Sequence, residues 1–171
     1  MGCDIHSYAE VNRNDKWEMV TDHFDINYYK KEKGDSPFTW RSYSLFAFLA
    51  GVRNYDRCEP ISELKGLPDD ISDGVSDEYG SDSIYDCDYH SLTFLTLKEL
   101  LDFDYDKVFW NRRVTKQISP NCSDGAALAE EGEGKMISYR DNLGLSFFNV
   151  IDELKELGEP ENVRIVFWFD S

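Results

Sequence analysis

Asp4 and His6 stand two residues apart in the opening stretch GCDIHSYAEV. On a β-strand that spacing points both side chains to one face, with Tyr8 and Glu10 continuing the row. A carboxylate and an imidazole so placed can hold a zinc or manganese ion, or serve as general base and orienting group. A metal site needs a third ligand, and His90 in DCDYHSLTFLTLKEL is the candidate, together with the aspartates of the acidic segment before it. His90 and Ser91, near Asp86 and Asp88, also offer an acid–base group, and His23 in TDHFD has the same ambiguity. No HxxEH or HxH spacing reinforces the metal reading. A polar outer strand face in contact with water accounts for the same row without any ligand. Cys3 alternates to the face opposite His6, so it reads as a small buried hydrophobe rather than a nucleophile.

Arginine next to an aromatic ring is the second chemical pattern. It occurs in Trp40-Arg41-Ser42-Tyr43, Arg53-Asn54-Tyr55, Trp110-Asn111-Arg112-Arg113 and Tyr139-Arg140-Asp141-Asn142. Guanidinium groups pair with phosphate and rings stack on bases. Trp40, Arg41, Tyr43, Arg53, Arg112, Arg113, Tyr139 and Arg140 therefore form a candidate set for a small nucleotide. No glycine-rich phosphate loop or GxGxxG accompanies them. The competing expectation is that these arginines pair internally with the abundant Asp and Glu. No catalytic residue is assigned.

The elements that must position these groups are read from periodicity. Residues 3–11 alternate as a strand, NRNDK supplies a turn, and WEMV returns as the second strand of a hairpin. Residues 21–37 read as a polar loop. Residues 42–50, SYSLFAFLA, predict a helix with a Ser available as N-cap and Gly51 as its stop. Pro68 before Asp69 and Asp70 suggests a short helix start. Thr96-Leu97-Lys98-Glu99 matches a capping box, predicting a helix to about Asp102. VFWNRRVTKQI is open between helix and strand, and NCSDGAALAEEGEGK has the composition of a surface loop. Phe147, Val150, Ile151, Leu154 and Leu157 share one helical face, with Gly158 and Pro160 beyond. Val163 to Phe169, apolar on both faces, reads as an interior strand. The expected fold is α+β: a single domain over 1–171, with a small mixed or antiparallel sheet built from the N-terminal hairpin and the C-terminal strand. Helices are expected to pack on one face of that sheet.

Charge narrows the function classes. The 171 residues carry 34 Asp and Glu against 18 Lys and Arg, a net charge of −16. Between Lys65 and Lys98 there are eight acidic residues and no Lys or Arg. Such a surface disfavours DNA, RNA and anionic membrane, and it permits imitation of nucleic acid. The four Cys are scattered without CxxC, and no secretory h-region precedes them, which predicts free thiols in a reducing cytoplasm. The apolar run LFAFLAGV is too short to span a bilayer.

The segments GCDIH, RSYSLFAFLAGVRN, PISELKGLPDDIS, YHSLTFLTLKEL and VRIVFWFDS together resemble a family of small, uncharacterised proteins encoded by bacteriophages and prophages. The resemblance carries no catalytic motif and transfers no site residue. It implies an anti-defence or accessory protein in the bacterial cytoplasm that binds and disables a host factor. Its two routes are an acidic DNA-mimicking surface, centred on residues 69–88, and capture of a signalling nucleotide. The expected partners are thus a host protein or a small nucleotide, or a second copy of the chain, without direct nucleic-acid or membrane binding. No cofactor is expected apart from a divalent metal at Asp4, His6 and His90. The alternatives are a metal-dependent hydrolase or nuclease using Asp4 and His6, and a structural phage protein.

Overall fold

The computed structural model describes residues 2–27, 29–83, 88–117, 120 and 124–171. Its class is α+β, with four α-helices and ten strands among the described residues, paired in small antiparallel sheets. Backbone contacts gather the chain into two compact units. One comprises Met1–Arg41, Leu64–Phe103 and Ser146–Ser171; the other comprises Ser42–Glu63 and Asp104–Leu145.

In the first unit, β1 (Asp4–Arg13) and β2 (Lys16–Met19) form the expected hairpin. Asn14 and Asp15 turn it with φ of 54° and 62°, a region these two residue types tolerate well. The C-terminal strand β10 (Val163–Asp170) pairs antiparallel with β1, Asp4 opposite Asp170 and Val11 opposite Val163. On its other side lies β5 (His90–Thr96), so the sheet order is β2-β1-β10-β5. β10 is interior as its apolar run predicts, and every residue from Val163 to Phe169 is buried. Each large side chain so buried contributes about 1.5–3 kcal/mol relative to exposure.

Alternation along β10 sends Val166 and Trp168 to one face and Ile165, Phe167 and Phe169 to the other. Helical packing on the first face comes from α2 (Asp73–Ser83), whose Val75 joins Val166 and Trp168 in a cluster ringed by Tyr8, Met19 and Tyr79. Over the second face, Ser7 Oγ donates to Phe38 O at 3.1 Å and accepts from Phe38 N at 3.0 Å. The Phe38 ring stacks on Phe147 of α4 (Tyr139–Lys155), with centroids 6.0 Å apart.

Several local expectations change. β5 occupies a stretch to which no element is assigned before the capping box, because pairing with β10 supplies the backbone partners that YHSLTFLT cannot advertise by itself. The 21–37 region folds into a short hairpin, β3 (Phe24–Asn27) and β4 (Glu32–Gly34), with Asp25 opposite Lys33 and an ion pair of 2.8 Å between them. Pro68 does not start a helix. Residues 68–71 turn, and α2 begins at Asp73, where Ser72 Oγ accepts from Val75 N at 3.3 Å. The capping box forms as predicted: α3 (Leu97–Asp102) opens with Thr96 Oγ1 accepting from Glu99 N, and Glu99 Oε2 accepting from Thr96 N.

In the second unit, α1 (Tyr43–Ala50) has its Ser42 cap and closes at Gly51, which donates to Ala47 O. The ambiguous VFWNRRVTKQI resolves into β6 (Val108–Asn111) and β7 (Arg113–Gln117). β7 pairs with β8 (Asp124–Leu128) and β6 with β9 (Lys135–Ser138). The expected surface loop over 121–135 therefore contains a strand. Gly125, Ala126 and Ala127 lack a strand signal of their own, and the ladder with β7 holds them extended. Phe48 and Phe109 pack against Tyr139, at 5.7 and 4.7 Å between centroids. Beside them runs a polar chain in which Asn142 donates to Asp56 and Asn111 donates to Asn142, both at 2.8 Å.

α4 is interrupted at Gly144, whose φ of 76° and ψ of 175° lie in a region that is essentially glycine-only. A Cβ there meets no atom within 4 Å, so its cost is purely one of backbone conformation. Gly144→Ala is accordingly expected to destabilise the chain by about 1–3 kcal/mol, measurable as a lowered urea midpoint with an unchanged slope.

Candidate functional site

The row that begins with Asp4 and His6 is not a wet outer face. Asp4 is exposed, but Glu10 is fully buried and Tyr8 is half-buried, because the segment 67–79 lies across this side of the sheet. At its open end Arg41 grips Asp4 in a two-pronged pair, Nε donating to Oδ1 at 2.8 Å and Nη2 to Oδ2. The Arg41 hydrogen bond holds the Asp4 carboxyl below the usual carboxylate range. His6 Nε2 hydrogen-bonds Asp170 Oδ2 at 3.1 Å, and Asp4 N donates to Asp170 Oδ1 at 3.1 Å.

Trp168 is the centre of the row. His6 stacks nearly parallel to it at 5.9 Å, while Tyr8, Tyr79 and Tyr89 surround it at 5.6, 5.2 and 5.9 Å. Tyr8 OH donates to Glu78 on α2 at 3.1 Å. Among the described residues the buried Trp168 Nε1 has no hydrogen-bond partner.

At the far end, Arg164 of β10 stands opposite Glu10 of β1, the two 4% and 0% exposed. Its Nε donates to Glu10 Oε2 at 2.6 Å, its Nη1 to Asp70 Oδ1 at 2.7 Å and its Nη2 to Asp70 O at 3.1 Å. The guanidinium also lies 3.9 Å from the Trp17 ring centre, and Trp17 Nε1 donates to Asp70 Oδ2. Glu10 Oε1 accepts from Ser72 N at 2.6 Å, immediately before α2. The result is a helix start bolted to the sheet, with Asp69, Asp73 and Asp77 left exposed on the outside. Sequence reasoning missed Arg164 although the signal was present: one cation inside VRIVFWF must find buried carboxylates.

His90 does not join Asp4 and His6. Its ring stacks on Phe169, on the face opposite Trp168, and its two nitrogens lie 3.0 Å from Ser91 Oγ and Ser171 Oγ. Among the described residues no group of three or more His, Cys, Asp or Glu converges as metal ligands. His23 bonds the Glu153 carbonyl at 2.8 Å. Asp86, Cys87 and Cys122 lie outside the described residues.

The arginine–aromatic set falls into both units, Trp40 and Arg41 in the first and the others in the second. Trp40 lines a cavity of about 530 Å³ with Ile26, Asp25, Asp152 and Glu153. Within the second unit Tyr43 packs on Phe46 and Tyr55, and Arg53 turns the chain at φ 49°. Arg112 donates to Ala129 O, Arg113 to Ser44 Oγ, and Arg140 to Asp106 at 2.7 Å. Tyr139 OH donates to Glu59 O and accepts from Glu59 N, each at 3.0 Å. Arg41 and Arg140 thus pair with carboxylates of the chain, while Arg112 and Arg113 hydrogen-bond neutral oxygens of it.

Removing Arg164 while Glu10 stays buried leaves a desolvated carboxylate without its cation. Arg164→Ala is expected to cost about 3–5 kcal/mol, and Arg164→Met with Glu10→Met to recover most of it; denaturant midpoints distinguish the two. The Arg164 hydrogen bond also holds the Asp70 carboxyl below its ordinary value. A depressed folded-state value adds stability above the unfolded-state pKa of about 4, and that stability is lost as pH falls through the folded value. Denaturation midpoints compared at neutral and acidic pH are therefore expected to fall less in Asp70→Asn than in the parent chain.

Comparison of the chain with family models, curated proteins and solved structures finds no match.

Proposed function

We propose that this chain is a phage-encoded accessory protein that acts by binding, occupying a basic nucleic-acid-handling or defence protein of the bacterial host through the carboxylates of Asp69, Asp73 and Asp77. The observation that carries this reading is the anchoring of those charges. Ser72 and Val75 tie the start of α2 to Glu10 and the Trp168 cluster, so the acids are displayed at set positions rather than on a loose loop. No Lys or Arg interrupts the run from residue 66 to residue 97. A row of rigidly held negative charges presents a basic groove with the same electrostatic feature as a phosphate backbone.

Nucleotide capture is the weaker of the two binding routes. It needs guanidinium groups directed at a ligand, and Arg41, Arg112, Arg113 and Arg140 instead bond groups of this chain. The hydrolase alternative is weakened in the same way, because both carboxylate oxygens of Asp4 accept from Arg41.

The test is competition between this chain and duplex DNA for a basic host nuclease, across a sodium chloride series. Affinity is expected to fall steeply with salt. The triple variant Asp69→Asn/Asp73→Asn/Asp77→Asn is expected to bind about tenfold more weakly, at roughly 0.5 kcal/mol per exposed carboxylate. Affinity indifferent to salt would sink the reading.

A further inference from the structure

The β6–β9 ribbon in the second unit has two unlike faces. Inward, Phe109 packs on Tyr139. Outward, Trp110 stands directly across from Met136, and Val108 lies two residues along on the same side. These three are 47%, 55% and 56% exposed. Isolated apolar residues on a surface need no explanation, but a cross-strand Trp–Met pair extended by Val is a contiguous patch.

The indole is held in place before any partner arrives. Trp110 Nε1 donates to Glu133 O at 3.2 Å, across the turn that leads into β9. Gly134 makes this approach possible: at its φ of 106° a Cβ would stand 2.5 Å from Asn111 O and 2.9 Å from the indole nitrogen. The turn is braced by Glu130 N donating to Glu133 Oε2 and Glu133 N donating to Glu130 O. Tryptophan is one of the three side chains enriched at the energetic centres of protein interfaces, and pre-ordering lowers the entropy cost of docking.

Charge decides what can dock there. Glu130, Glu131 and Glu133 are exposed on the same turn. Lys116 bridges Glu130 and Glu133, and among the described residues Glu131 makes no ion pair. Lys135 alternates to the other side of β9 from Met136. An apolar patch with an acidic border repels nucleic acid and anionic lipid, and a second copy of a chain of net charge −16 is disfavoured by like-charge contact. We propose that the outward face of the β6–β9 ribbon docks a basic protein surface, which seats an apolar side chain on Trp110, Val108 and Met136 and sets its cations against Glu130, Glu131 and Glu133. This surface stands apart from the Asp69–Asp77 reading, and neither depends on the other.

The probe is a short peptide of alternating lysine and leucine, cationic on one face and apolar on the other, with an all-lysine peptide as control. Calorimetric titration is expected to show binding of the alternating peptide and much weaker binding of the control. Trp110→Ala is expected to weaken binding by about tenfold or more. Val108→Ser/Met136→Ser, which keeps the indole, is expected to weaken it as well, and Asp69→Asn/Asp73→Asn/Asp77→Asn to leave it unchanged. If Trp110→Ala fails to fold by circular dichroism, the Val108/Met136 variant decides. The inference is overturned if the alternating peptide does not bind, if the all-lysine peptide binds equally, or if the folded variants keep full affinity. Light scattering that shows a dimer dissociated by Trp110→Ala would overturn it in favour of a second copy.

Discussion

A guanidinium removed from water sets the terms for the first unit. Arg164 sits in the most buried strand, and an uncompensated charge there would cost several kcal/mol. Three of its donors are taken by Glu10 and Asp70, and its planar face rests on Trp17. Each partner comes from a different part of the chain. β1, β2, β10 and the 70–72 turn must therefore be in register together for every partner of the guanidinium to be in place. Arginine suits this place better than lysine, because its fork reaches two carboxylates and its flat face stacks on a ring.

The same logic of internal pairing shapes the surface. Arg41, Arg140 and Lys33 are drawn into pairs with Asp4, Asp106 and Asp25. With 34 acids and 18 bases, such pairing uses up cations and leaves carboxylates over. The surplus is displayed on α2 in the first unit and at Glu131 in the second, on the turn that borders exposed Trp110 and whose Glu130 and Glu133 share Lys116. Each surface is made by a local scaffold: a helix start bolted to a sheet, and a turn braced by its own backbone.

The row from Asp4 to Glu10 shows how burial changes the meaning of a pattern. Alternation correctly assigns these residues to one face, and it separates Cys3, which is buried on the other. It does not tell what covers that face. Once α2 and Tyr79 close over Trp168, the row becomes an interface between sheet and helix, with Arg41 at one end and Arg164 at the other. His90 reaches the same end of the sheet from β5 but on its far side, because it packs on Phe169 rather than Trp168.

What the sequence by itself determined is what depends on neighbours within a few residues. The Ser42 cap, the Thr96–Glu99 box, the Asn14–Asp15 turn and the interior character of Val163–Phe169 rest on local hydrogen bonding and on composition. The α+β class follows from them. Strands β3, β4, β5 and β8 were decided by the tertiary structure, since a short or small-residue strand exists only when a distant strand completes its ladder. So were the partners of Arg41, Arg140 and Arg164. Charge counts predict internal pairing in general, but which carboxylate meets which guanidinium depends on sheet register, and Glu10 meets Arg164 across 154 residues of chain because β1 and β10 are neighbours.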